Sequence, residues 1–115
     1  MSGSTIVCVP VRPDGQLDPR WGKAGQVAIA RVEDRAIAGW EVVQVGWDAL
    51  HDVGTEGGHH ARVARFLMEN HVQVVVANHM GPPMEQMLHQ MKLGVRLGAA
   101  GDARQAVLAA LNRLD

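Results

Sequence analysis

The sequence predicts one α/β domain, a mixed five-stranded sheet with helices packed on it, in the order β-β-β-α-β-α-β-α. Three observations carry this prediction. Ile6-Val7-Cys8-Val9 and Val72 to Ala77 are near-continuous apolar, β-branched-rich runs, the pattern of strands buried on both faces. Apolar residues recur at helical spacing in three later stretches. The chain has 115 residues, 47% of them hydrophobic, which is enough for one real core and not for two. No repeat and no linker divides it, so residues 1–115 read as a single domain.

The elements follow in order. The first strand, Ile6 to Val9, ends at Pro10. Val11 to Gly25 holds Pro13, Asp14-Gly15, Pro19 and Gly22 and reads as a turn-rich loop. Gln26 to Val32 and Ile37 to Val45 read as strands joined by the polar turn Glu33-Asp34-Arg35, hence a hairpin. Gly46 to Gly58 is polar and aperiodic, and is predicted to be a mobile loop. From His59 to Asn70, positions 60, 63, 64 and 67 form one apolar face. After the strand at 72–77, Pro82 or Pro83 fits the first turn of a second helix. Its stripe is Met84, Met87, Leu88 and Met91, with Gly94 as C-cap. Val95-Arg96-Leu97 is a short last strand. Asp102 then caps a third helix whose inner face is Ala103, Ala106, Val107, Ala110, Leu111 and Leu114.

Right-handed crossovers make the strands at 6–9, 72–77 and 95–97 parallel, with their C-terminal ends at one edge. Open α/β sheets bind ligands at that edge. The start of the first helix falls there too, so two histidine-bearing turns meet: Gly57-Gly58-His59-His60 and Asn78-His79-Met80-Gly81-Pro82-Pro83. Imidazoles beside a thioether suit a soft metal or a metal cluster. The positive end of a helix dipole keeps His59 and His60 neutral, and free N–H groups there welcome an anion. The same residues also allow a plainer arrangement, with His60 packed, His59 solvated, Met80 covering the core and His79 bonded to its own turn. Adjacent histidines diverge, so only one of His59 and His60 is expected to join His79 on one ion. Cys8 reads as a small buried hydrophobe. Trp21 reads as a pocket wall or a core cover, Trp40 and Trp47 as packing or interface residues, and His51, His71 and His89 as solvated.

Several function classes are excluded. A formal charge of −1 offers no basic face for nucleic acid. The apolar runs are too short to span a bilayer, and Met1-Ser2-Gly3-Ser4 lacks the features of a secretory signal. A single cysteine forms no internal disulfide, so the expected location is the cytoplasm. There is no HExxH, CxxC or P-loop, and the aspartates at 14, 18, 48, 52 and 102 are too scattered for a two-metal site. The only serines, Ser2 and Ser4, lie at the N-terminal end. These parts favour binding over catalysis.

Five pieces of sequence, in order and spacing, carry a resemblance that runs almost end to end. They are the first strand into Asp14-Gly15-Gln16-Leu17, Arg20-Trp21-Gly22-Lys23-Ala24, Gly57-Gly58-His59-His60, Val74-Val75-Val76-Ala77 with Met80-Gly81-Pro82, and Gly94-Val95 through Gly101. The chain resembles the dinitrogenase iron-molybdenum cofactor biosynthesis family, which comprises NifX, NafY and the C-terminal part of NifB. The resemblance implies a ribonuclease H-like fold. It also implies a carrier of an iron–sulfur or iron–molybdenum cluster, transiently bound, exchanged with a donor or acceptor protein, and related to nitrogen fixation. The site so expected has His59, His60 and His79 at the metal, with Gly57, Gly58, Arg20, Met80 and Gly81 around the cluster. Arg20 stands where the family tends to have a histidine, and a guanidinium can pair with an anionic cluster but cannot ligate a metal. The alternative is a cofactor-free regulatory or scaffold module that binds a protein through the 46–58 loop and an exposed Trp47.

Overall fold

β1 (Ser4–Pro10) occupies the middle of the sheet because its side chains alternate between two apolar surroundings. Cys8 joins one buried cluster, with Val27, Val63, Leu67, Val75 and Leu88, while Val7 and Val9 join another, with Ala28, Ala30, Val76, Ala103 and Val107. A strand covered on both faces needs apolar residues at successive positions, which explains the unbroken run. In this computed structural model, which describes residues 3–112, the sheet order is β3 (Ala36–Gln44), β2 (Gln26–Glu33), β1, β4 (Val74–Val76) and β5 (Gly94–Arg96). β4 and β5 run parallel to β1, β2 runs against it, and β3 runs against β2. Helices α2 (Glu56–Glu69) and α3 (Pro82–Gln90) contribute to the Cys8 cluster, and α4 (Ala103–Leu111) to the other. The architecture is therefore helix–sheet–helix, as the element order implied. No helix among the described residues is long and apolar enough to cross a membrane.

The turns follow from local chemistry. Asp34 and Arg35 both take positive φ, 52° and 65°, which gives a two-residue hairpin turn matched to strand twist. α2 and α3 end alike. His71 (φ 56°) and Lys92 (φ 64°) adopt the left-handed conformation after the last helical turn. The N–H groups of Val72 and Leu93 then reach back to the carbonyls of Leu67 and Leu88, closing Schellman motifs. Asp102 caps α4 as expected, accepting a hydrogen bond from the N–H of Gln105 at 3.0 Å.

Several expectations need correction. The segment expected as a mobile loop contains a short helix, α1 (Trp47–Leu50), and Trp47 is only 2% exposed. It packs edge-on against Trp21 and Phe66, with ring centroids 5.3 and 5.7 Å away, so the expected exposed contact residue is core. α2 begins three residues before His59, because the Thr55 side chain accepts from the N–H of Gly58 at 2.9 Å and sets the first turn there. Its buried face is His59, Val63 and Leu67, whereas His60 is half-buried. Gly94 is not the cap of α3. It starts β5, paired with Val74, where a Cβ would stand 3.3 Å from the Val74 Cγ2. The left-handed position went to Lys92 instead. Leu114 lies outside the described residues.

Candidate functional site

The loop after β1 folds back on the sheet edge rather than wandering from it. Leu17 pairs with Val11, Gln16 with Asp102, and Arg20 with His79 in a parallel bridge. That last pairing brings the 3₁₀ turn Trp21–Lys23 against the segment leaving β4. Between this turn, α1, the start of α2 and the start of α3 opens a cleft of about 380 Å³. His51, His59, His60 and His79 all line it, with Arg20 and Lys23 on one wall and Met80 and Met84 among its apolar lining. Both methionines are nearly buried, which makes that part of the cleft apolar and polarizable.

His59 is the most constrained of the four imidazoles. It is 3% exposed, and Arg62 Nη1 lies 2.8 Å from its Nδ1 while the Gly22 carbonyl lies 2.8 Å from its Nε2. A guanidinium only donates, so Nδ1 accepts and the proton belongs on Nε2, which donates to Gly22. Both ring nitrogens are thereby used, and no lone pair of His59 faces the cleft. Arg62 also donates to the Leu50 carbonyl at 3.2 Å, so the pair ties α2 to the 3₁₀ turn and to α1. His59 was expected at the metal; in this structure it is the pin that assembles the cleft wall.

His60 and His79 differ from it. His60 is half-buried, His79 is exposed, and neither ring has a hydrogen-bond partner among the described residues. No three His, Cys, Asp or Glu side chains among the described residues stand close enough together to hold a metal ion. The three expected imidazoles thus share a cleft without forming a ready-made single-ion site.

The remaining expected residues divide. Arg20, Met80 and Gly81 line the cleft, whereas Gly57 and Gly58 lie off its wall. The helix N-termini supply fewer donors than expected. The Gly58 N–H is taken by Thr55, and Pro82 and Pro83 have no N–H to offer at the start of α3. Arg20 and Lys23 provide positive charge instead. Arg20 is held by Asp18, whose hydrogen bond, and then whose charge, raises the guanidinium further above its already high pKa.

Sequence reasoning missed His51, which stacks edge-on against His59 at 5.2 Å and has Nδ1 3.0 Å from the Asp52 carboxylate. It also missed Lys23 and Met84 as cleft residues. Lys23 carried a signal, since it closes the Trp-Gly-Lys turn; Met84 read as plain helix stripe, which it also is. Cys8 sits in the sheet at 0% exposure, and burial pushes its thiol far above the usual range, so it stays protonated.

A family model described as dinitrogenase iron-molybdenum cofactor matches residues 4–113. No curated protein matches the chain. Among solved structures, the apo form of the orange protein from Desulfovibrio gigas is 23% identical, with 97% of this chain and 91% of that chain covered and a TM-score of 0.74. A candidate dinitrogenase from Methanocaldococcus jannaschii is 10% identical, covering 98% and 94%, with a TM-score of 0.68. A Thermotoga protein of the DUF35 family, described as a NifB candidate, is 21% identical, covering 91% and 85%, with a TM-score of 0.65. At these identities the likeness speaks for the fold alone.

Proposed function

The chain belongs to the dinitrogenase iron-molybdenum cofactor family, and from that premise we propose that it is a non-catalytic carrier of an iron–sulfur or iron–molybdenum cluster or its precursor. The observation that carries this reading is the cleft itself, where the imidazoles of His60 and His79, without hydrogen-bond partners among the described residues, line the same space as Arg20, Lys23, Met80 and Met84. Such clusters are anionic and sulfide-rich, so cations and soft or borderline ligands suit them. His79 and His60 are the ligands, Arg20 and Lys23 balance charge, and Met80 with Gly81 shapes the surface. Few ligands and an open site favour transient holding, as a protein that receives cargo from a donor and passes it to an acceptor requires. The strand order with β2 alone running against the others supports reading the fold as ribonuclease H-like. Cys8, the one thiol, is sealed in the sheet, which favours carriage over nucleophilic chemistry.

Anaerobic titration with a synthetic thiolate-ligated [4Fe–4S] cluster, and separately with an iron–molybdenum cluster, tests the proposal by visible absorption. Saturable binding is expected in the wild type and is lost in the His60→Ala/His79→Ala double variant. Absence of binding, or equal binding by the variant, refutes it.

A further inference from the structure

Asp18 does not line the cleft, yet it is one of only two polar or charged residues buried among those described, at 4% exposure. A carboxylate removed from water is costly unless it is paired and hydrogen-bonded. Asp18 spends both oxygens on a single residue. It accepts from the Arg20 backbone N–H at 3.0 Å, from Nε at 3.2 Å and from Nη2 at 3.3 Å. The Arg20 side chain is itself 61% exposed. A buried anion therefore holds a solvent-facing cation by its side edge, and three of the five guanidinium N–H groups remain for another acceptor. The Arg20 backbone is bridged to His79 in an isolated parallel pairing, which places the two residues side by side at the cleft.

We infer that Asp18 is a positioning residue: it fixes the Arg20 guanidinium beside His79, so that the cleft offers a fixed planar donor and an imidazole lone pair to the same cargo. This rests on the carrier reading and narrows it. The cargo is a metal-bearing anion whose outer sulfur or oxygen atoms accept hydrogen bonds next to a metal with an exchangeable coordination position. A neutral complex leaves Arg20 unused, and a simple oxyanion leaves His79 unused. Lysine at position 20 cannot substitute, because an ammonium is a point charge without a fork for the Asp18 carboxylate to grip.

The test combines spectroscopy without cargo and binding with it. A guanidinium Nε–H held by a carboxylate exchanges slowly with water, so the Arg20 Nε–H resonance is expected in the wild type near neutral pH and absent in Asp18→Asn. Binding of the synthetic thiolate-ligated [4Fe–4S] cluster is expected to weaken about tenfold in Asp18→Asn and in Arg20→Met. Arg20→Lys is expected to resemble Arg20→Met, and Asp18→Asn is expected to add nothing in the Arg20→Met background. Arg20→Met leaves the buried Asp18 carboxylate without its cation and is expected to cost stability, whereas the Asp18→Asn/Arg20→Met double variant removes both charges, so circular dichroism confirms that each variant is folded at the temperature of the binding measurement. Inorganic phosphate at the same concentration is expected not to compete. The inference is overturned if Arg20→Lys binds like wild type, if the Nε–H signal persists in Asp18→Asn, or if Asp18→Asn weakens binding equally with and without Arg20. Failure of the wild type to bind any cluster sinks the carrier reading instead, and the resonance alone then decides whether Asp18 holds Arg20.

Discussion

Replacing His59 with alanine separates its structural role from that of its neighbour. His59 is 3% exposed and makes two hydrogen bonds of 2.8 Å, to the Gly22 carbonyl and from Arg62. Losing a neutral bond costs about 1 kcal/mol and losing one to a charged group about 2 kcal/mol, so His59→Ala is expected to destabilise the fold by roughly 3 kcal/mol. Arg62 keeps the Leu50 carbonyl at 3.2 Å, which limits the loss. For a domain of this size that corresponds to a fall in Tm of roughly 12 °C. His60→Ala removes a half-buried ring with no hydrogen-bond partner among the described residues, and is expected to change stability by less than about 0.5 kcal/mol. Urea denaturation followed by circular dichroism measures both, with an unchanged m-value required for the comparison. Nitrogen shifts of the His59 ring report the tautomer directly and should show the proton on Nε2. A loss under about 1 kcal/mol for His59→Ala, or equal losses for the two histidines, would refute the pin.

Three other outcomes are expected. Trp47→Ala should destabilise by about 3–5 kcal/mol in urea denaturation, because it removes the ring between Trp21 and Phe66; a surface contact residue would move stability by less than about 0.5 kcal/mol. Because burial raises the Cys8 thiol pKa in the folded state, its contribution is constant below the unfolded thiol pKa of about 8.5. Above that pH the unfolded chain loses the proton first, so stability should fall by up to about 1.4 kcal/mol per pH unit, and Cys8→Ala should remove that share of the alkaline slope. Lys92→Gly should stabilise by about 0.5–1 kcal/mol, since glycine adopts the positive φ of 64° without the steric penalty of a Cβ; a lower Tm for this variant would contradict the cap assignment.

Much of the fold was legible in the chain, and the reason is periodicity. Strands covered on both faces show as unbroken apolar runs, α3 and α4 show as stripes, and Pro82-Pro83 and Asp102 mark helix starts by their own backbone chemistry. The meeting of the histidine turns at one sheet edge was legible too, because parallel strands with right-handed crossovers leave few alternatives. The start of α2 was read late because two glycines argue against a helix, while one Thr55 hydrogen bond overrides them in the first turn. Of the two roles the sequence allows Trp47, packing holds and exposed contact does not, because the approach of Trp21 from a distant loop makes a buried place for it.

The sequence by itself determined the order of the five strands and the three longer helices, the sheet edge that holds the cleft, and the residue types gathered there. Which imidazole does what was decided by tertiary structure alone. His59 and His60 are chemically identical neighbours, and their fates diverge because about 100° of helical rotation turns one towards the Gly22 carbonyl and Arg62 and leaves the other facing the cleft. Asp18 likewise is one more loop aspartate in the sequence. Its burial, its grip on Arg20 and the pairing of Arg20 with His79 exist only once the loop after β1 has folded back on the sheet edge.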